Sequence, residues 1–202
     1  MASIWSGWQN QNVDTMKFLR TKLPGVIIVQ PDVFHDSRGF FLETYRADKY
    51  RQGGIEAIFV QDNHSRSVKD TIRGLHAQRR HPQAKLIRAL NGAIIDVVVD
   101  IQRGSPTYLH WVKVELSAAN FRQVFIPAGY AHGICIVSEF AEIEYKCSDY
   151  YDPEDELRII WDDPSIGIEW PVKTPLLSPK DSQARPLNEQ VNLLPVIGES
   201  GI

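Results

Sequence analysis

Three side chains in the 202-residue sequence pair a reactive head group with a position that simple patterning turns inward. His76 lies in Arg73-Gly74-Leu75-His76-Ala77-Gln78, where strand alternation groups it with Ile72, Gly74 and Gln78. Lys85 precedes Leu86-Ile87 and shares a face with Ile87 and Ala89. Tyr145 belongs to Ala141 to Cys147, whose alternation sends Ala141, Ile143, Tyr145 and Cys147 inward and Glu142, Glu144 and Lys146 to water. An imidazole exchanges protons near neutral pH. An ammonium held in a dry site stabilises negative charge developing on an oxygen, and a phenol, with an ordinary pKa of about 10, arrives protonated and can donate. Each residue also has a plainer reading: a hydrogen-bonded structural histidine, a lysine that snorkels from a strand end, a tyrosine packed in the core with its hydroxyl satisfied. Patterning leaves both readings open.

The elements that must position these groups read as β-strands. Short apolar or alternating runs at Val26 to Val29, Phe40 to Tyr45, Lys85 to Leu90, Ile94 to Val99, Trp111 to Leu116, Val124 to Ile126, Gly133 to Val137 and Ala141 to Cys147 are separated by turn residues, as in an all-β sandwich or barrel. Asn91-Gly92, between two of them, is a strong hairpin signal because both residues tolerate positive φ. Helical periodicity is confined to Ala47 to Gln52, stopped by Gly53-Gly54, and to a turn or two in the last 30 residues. The reading is an all-β antiparallel sandwich or jelly-roll barrel, residues 16–185, with a poorly ordered amino-terminal extension at 1–15 and a carboxy-terminal tail at 186–202. A barrel of this kind encloses a cavity, and its inward polar residues are the ones to question.

Composition narrows the function classes. The chain carries 22 Lys+Arg against 25 Asp+Glu, a net charge of −3. That leaves no global basic excess for a nucleic-acid backbone or an anionic membrane surface. No apolar stretch reaches the roughly 20 residues of a spanning helix, and the polar first dozen residues lack a signal-peptide core, so the expected address is the cytoplasm. The two cysteines, Cys135 and Cys147, are expected to be buried free thiols. A catalytic metal is disfavoured: barrel metal sites often place two histidines two residues apart on one strand face, whereas His76 is followed at that spacing by Gln78, His81 lies in a Pro-containing loop, and His132 is isolated.

Taken together, several segments resemble one family, the dTDP-4-dehydrorhamnose 3,5-epimerases, cupin-fold enzymes of deoxysugar nucleotide synthesis. They are Asp36-Ser37-Arg38-Gly39-Phe40-Phe41-Leu42-Glu43, Gln61-Asp62-Asn63, Arg73 to Gln78, Ile126-Pro127-Ala128-Gly129-Tyr130-Ala131-His132-Gly133, Glu144 to Tyr151, Trp161-Asp162-Asp163-Pro164 and Leu177-Ser178-Pro179-Lys180-Asp181. The resemblance runs from about Lys17 to about Arg185. Ala77 departs from it, since the family more often has an aromatic residue there. Related ketoisomerases resemble the same fold but carry a second histidine at the position of Gln78.

The resemblance implies that His76 is a general base supported by Asp181, that Lys85 stabilises an oxyanion, and that Tyr145 donates a proton from the opposite face. It implies that Tyr151 stacks on the thymine ring and that Arg38, Glu43, Gln61, Asn63, Arg73, His132, Glu156 and Lys180 line the nucleotide and sugar site. It further implies a dTDP-4-keto-6-deoxy sugar substrate and no cofactor. The implied assembly is a homodimer in which one subunit's Arg38 and Glu43 reach the other's site. The expected activity is inversion at C3 and C5, with C3-only epimerisation or non-catalytic nucleotide-sugar binding as alternatives.

Overall fold

The computed structural model describes residues 16–197. The expected extension at 1–15 and the last residues of the expected tail lie outside that range. Thirteen strands account for most of the regular structure: β1 (Lys17–Arg20), β2 (Ile27–Gln30), β3 (Val33–Asp36), β4 (Gly39–Leu42), β5 (Gln61–Val68), β6 (Ile72–Gln78), β7 (Lys85–Asn91), β8 (Ala93–Asp100), β9 (Trp111–Ser117), β10 (Gln123–Ile126), β11 (Tyr130–Ile136), β12 (Phe140–Cys147) and β13 (Glu156–Arg158). Two short helices, α1 (Ala47–Gln52) and α2 (Pro179–Ser182), and two 3-10 turns complete the described elements.

All strand pairs are antiparallel. A six-stranded sheet runs β1-β2-β10-β7-β12-β5 and a five-stranded sheet β13-β6-β11-β8-β9, while β3 and β4 form a separate hairpin. The alternating strands explain how the sheets stack. Ile87, Ala89, Val124, Ile126, Ala141 and Ile143 from the first meet Ile94, Val98, Val114, Leu116, Ile134 and Ile136 from the second in one buried cluster. Burying each of the valine, leucine and isoleucine side chains contributes about 1.5–3 kcal/mol. The outer face of the five-stranded sheet carries a second cluster, Leu75, Ala77, Val97 and Val99, covered by Ile166, Leu187 and Leu194. Residues 186–197 therefore include chain that packs on the sandwich. The outer face of the six-stranded sheet is covered by Tyr50 of α1 and by Ile55. Cys135 and Cys147 are free and buried.

Two local readings need correction. Asn91-Gly92 joins no hairpin, because β7 pairs with β10 and β12 in one sheet while β8 pairs with β11 and β9 in the other. The chain crosses between sheets there. Gly92 takes φ +69°, and a Cβ on it would meet the Phe140 carbonyl oxygen at 2.1 Å, so the glycine serves a close crossing instead of a two-residue turn. Strict alternation also fails in β6. His132 pairs with His76, whereas Ile134 pairs with Arg73, so two residues of β6, Gly74 and Leu75, oppose the single Gly133 of β11. This bulge, centred on Gly74 at φ +127°, reverses the phase of the strand and aligns Arg73, not Ile72 or Gly74, with His76.

Candidate active site

At one end of the sandwich the packed core gives way to a cavity of about 440 Å³. The five-stranded sheet contributes Arg73, His76 and Gln78 from β6 and His132 from β11; the six-stranded sheet contributes Gln61 and Asn63 from β5, Lys85 from β7, and Tyr145 and Cys147 from β12. Tyr151, Glu156, Lys180 and Asp181 close the rim. Eleven of the thirteen residues singled out from the sequence thus line one space, with His76 and Tyr145 on facing sheets. Arg38 and Glu43 do not. Arg38 sits at the tip of the β3–β4 hairpin, its side chain paired with Asp36 at 2.6 Å. Glu43 pairs with Lys49 at 2.8 Å and lines a separate recess with Met16 and Phe34.

His76 Nε2 lies 2.5 Å from Asp181 Oδ1. Asp181 is brought there by α2, which begins at Ser178: the Ser178 hydroxyl accepts from the Asp181 N–H at 3.1 Å and donates to Asp181 Oδ2 at 2.7 Å. The carboxylate is only 4% exposed. Burial works to raise its pKa, but the hydrogen bonds from His76 and Ser178 outweigh that and hold it below the ordinary value. An anionic Asp181 fixes the imidazole's orientation through this hydrogen bond.

Lys85 Nζ is 3.0 Å from His132 Nε2, and His132 Nδ1 is 3.5 Å from Asp96 Oδ1. Burial lowers the Lys85 pKa, opposed by Cys147, Asp96 and Glu156. Burial also holds His132 well below its ordinary value, with Lys85 and His76 adding to the effect, so the imidazole is neutral and can accept from the ammonium. Asp96 was not singled out from the sequence. It is fully buried on the inward face of β8 between Ile94 and Val98, and burial raises its pKa well above the ordinary carboxylate value. A carboxylate within an otherwise apolar strand run was the available signal, since such residues are rarely buried without a partner.

Tyr145 is raised from 10, chiefly by burial, which keeps the phenol protonated through neutral pH. Arg73 donates to the Ser67 hydroxyl at 2.9 Å and, with Lys180, brings positive charge to the rim. The arrangement can take a proton on one wall, hold an oxyanion at the floor and return a proton from the other wall. Among the described residues no group of three or more His, Cys, Asp or Glu side chains converges as metal ligands would, and no helix is long and apolar enough to cross a membrane.

A profile of the dTDP-4-dehydrorhamnose 3,5-epimerase family matches residues 20–189. A dTDP-4-dehydrorhamnose 3,5-epimerase of Pseudomonas aeruginosa is 50% identical over 172 residues, covering 84% of this chain and 95% of that one. Another, of Neisseria gonorrhoeae, is also 50% identical over 167 residues; the match covers 82% of this chain but spans only 51% of that longer relative. The crystal structure of the dTDP-6-deoxy-D-glucose-3,5-epimerase of Legionella pneumophila, in complex with dTDP-4-keto-L-rhamnose, superposes with a TM-score of 0.87 at 45% identity, over 90% of this chain and 98% of that one. With a matching profile over most of its length and relatives this similar, the chain belongs to the dTDP-4-dehydrorhamnose 3,5-epimerase family.

Proposed function

We propose that the protein inverts C3 and C5 of dTDP-4-dehydro-6-deoxy-D-glucose, giving dTDP-4-dehydro-L-rhamnose. The observation that carries this reading is the His76–Asp181 pair facing Tyr145 across one cavity, with Lys85 reaching from the Tyr145 wall to His132 on the other. In a 4-keto sugar the C3 and C5 hydrogens are both α to the carbonyl. His76 takes such a proton, and the electron pair of the broken C–H bond moves onto the C4 oxygen as an enolate. Lys85 stabilises that charge, and a preorganised donor of this kind is worth about 10²–10³ in rate. Tyr145 then protonates the same carbon from the other face. His76 releases its proton to water and Tyr145 regains one from water, which resets the site. The substrate's own ketone is the electron sink, so the chemistry calls for no cofactor.

The flat ring of Tyr151, at the rim and half exposed, suits stacking on the thymine base, while Arg73 and Lys180 suit the diphosphate. Arg38 and Glu43 lie away from this chain's cavity and are assigned to the site of a second subunit, which makes the working form a homodimer. The absence of a global basic excess supports a small-molecule partner over nucleic acid or membrane and is consistent with a cytoplasmic enzyme.

Proton NMR of the 4-keto substrate in heavy water tests the whole reading. Exchange of both the C3 and C5 protons is expected for the native protein, together with its loss in His76→Ala. Exchange at C3 alone would favour a single epimerase, binding without exchange would favour a non-catalytic binder, and undiminished exchange in His76→Ala would remove that residue from the mechanism.

A further inference from the structure

The segment Asp149–Asp152, which carries Tyr151, follows β12 without joining a sheet. Among the described residues its only backbone-to-backbone hydrogen bond is a local one, from the Asp155 N–H to the Asp152 carbonyl at 3.2 Å. Three glutamine side chains hold it instead. The Gln78 amide pairs with Asp152 in both directions, donating from Nε2 to the Asp152 carbonyl at 2.8 Å and accepting at Oε1 from the Asp152 N–H at 2.8 Å. Gln61 Oε1 accepts from the Tyr151 N–H at 3.2 Å, and Gln83 Nε2 donates to the Asp149 carbonyl at 2.8 Å. Two further hydrogen bonds are local, from the Tyr150 N–H to Asp149 Oδ1 at 2.8 Å and from the Glu154 N–H to Asp152 Oδ1 at 2.9 Å, and two ion pairs reach the segment at longer range: Arg80 with Asp152 at 3.5 Å, and His81 with Asp149 at 3.7 Å when the imidazole is protonated. Exposed pairs of this kind contribute little.

These glutamines come from three different places: Gln61 from β5 on one sheet, Gln78 from β6 on the other, and Gln83 from the loop before β7. Gln78 and Gln83 are each 8% exposed. Their amides act as substitutes for the peptide groups of a neighbouring strand, with one important difference: they anchor the segment to both walls of the cavity at once. Gln61 Nε2 also donates to Asn63 Oδ1 at 3.1 Å, which ties this amide to its own strand as well as to the segment.

We propose that Gln78 and Gln83 are positioning residues that clamp the Tyr151 segment and so pre-set the ring for a flat aromatic base, governing nucleotide affinity without entering the chemistry. The inference rests on the stacking role assigned to Tyr151 above. An aromatic ring stacks favourably only over a narrow range of offset and tilt. Holding its backbone in advance removes the ordering cost that binding would otherwise carry.

The test uses the full-length enzyme, with dTDP binding by calorimetry, steady-state kinetics and amide hydrogen exchange. Gln78→Ala removes both bonds to Asp152. It is expected to speed exchange of the Tyr151 and Asp152 amides, to weaken dTDP binding and raise KM about 10-fold, and to leave kcat within about two-fold. Gln83→Ala, which removes the single bond to the Asp149 carbonyl, should move the same readouts by a smaller amount and guards against a folding defect in the first variant. In a Tyr151→Ala background, Gln78→Ala should cost less than about two-fold further, because coupled residues are not additive. Unaltered amide exchange, unchanged dTDP affinity, an equal loss in both backgrounds, or a fall in kcat at constant affinity would each overturn the clamp. Exchange and dTDP affinity are read without turnover, so a protein that binds dTDP through the clamp yet epimerises nothing would refute the reaction and leave the clamp standing.

Discussion

At the scale of single residues, the inward placement of Tyr145 was legible because buried Ala141, Ile143 and Cys147 alternate with less buried Glu142, Glu144 and Lys146, whereas β7 buries both Leu86 and Ile87 and its pattern alone left the direction of Lys85 open. Tyr145→Phe removes the donor while keeping the ring's packing; it should still wash out substrate protons in heavy water but invert poorly at C5, and a normal product ratio would reassign the acid. In the proposed mechanism Lys85 acts as an ammonium, and burial lowers its pKa from 10.5 despite the opposing pull of Cys147, Asp96 and Glu156. The sign follows directly. The charged form is lost as pH rises through that lowered value, so kcat/KM should have an alkaline limb below 10.5, and Lys85→Arg, which stays charged, should move that limb upward at a reduced rate. Tyr145, raised by burial, does not set that limb. Asp181 was legible only through the family resemblance, since it reaches His76 from 105 residues away on a four-residue helix. Asp96 went unread because the apolar run around it announced a strand so clearly that the single carboxylate within it drew no question.

At the scale of elements, most strands and α1 appear within a few residues of where patterning put them, whereas both misreadings occur where a strand changes sheet or phase. Periodicity carries no record of an extra residue. The β6 bulge is what brings Arg73 to the side of His76, and Gly74 permits it: a Cβ there would lie 2.6 Å from Gly133 Cα and 2.7 Å from the His132 carbonyl oxygen. Gly74→Ala should therefore cost at least about 2 kcal/mol through backbone strain and close contact. The measurement is a thermal melt beside a substrate titration, with a lowered midpoint and a raised KM expected, and a native melting curve counting against this account. Asn91-Gly92 teaches a related lesson. Local chemistry specified a tight reversal, and the partners that decide between a hairpin and a crossing lie far along the chain, in Phe140 and Ser138.

At the scale of the whole molecule, the sandwich class followed from composition and strand spacing, but the assembly did not. The homodimer is implied by the family resemblance, and Arg38 and Glu43, set apart from the cavity, accord with it; sedimentation should return twice the 23.0 kDa of the chain. A monomer that is fully active would leave those two residues without the role assigned to them. The cavity itself is the unfilled end of the same space that, further along the sheets, is packed with isoleucine, leucine and valine. On the proposed reading, substrate completes an interior as well as occupying a site, the sugar and its nucleotide filling space that further along the sheets is taken by side chains.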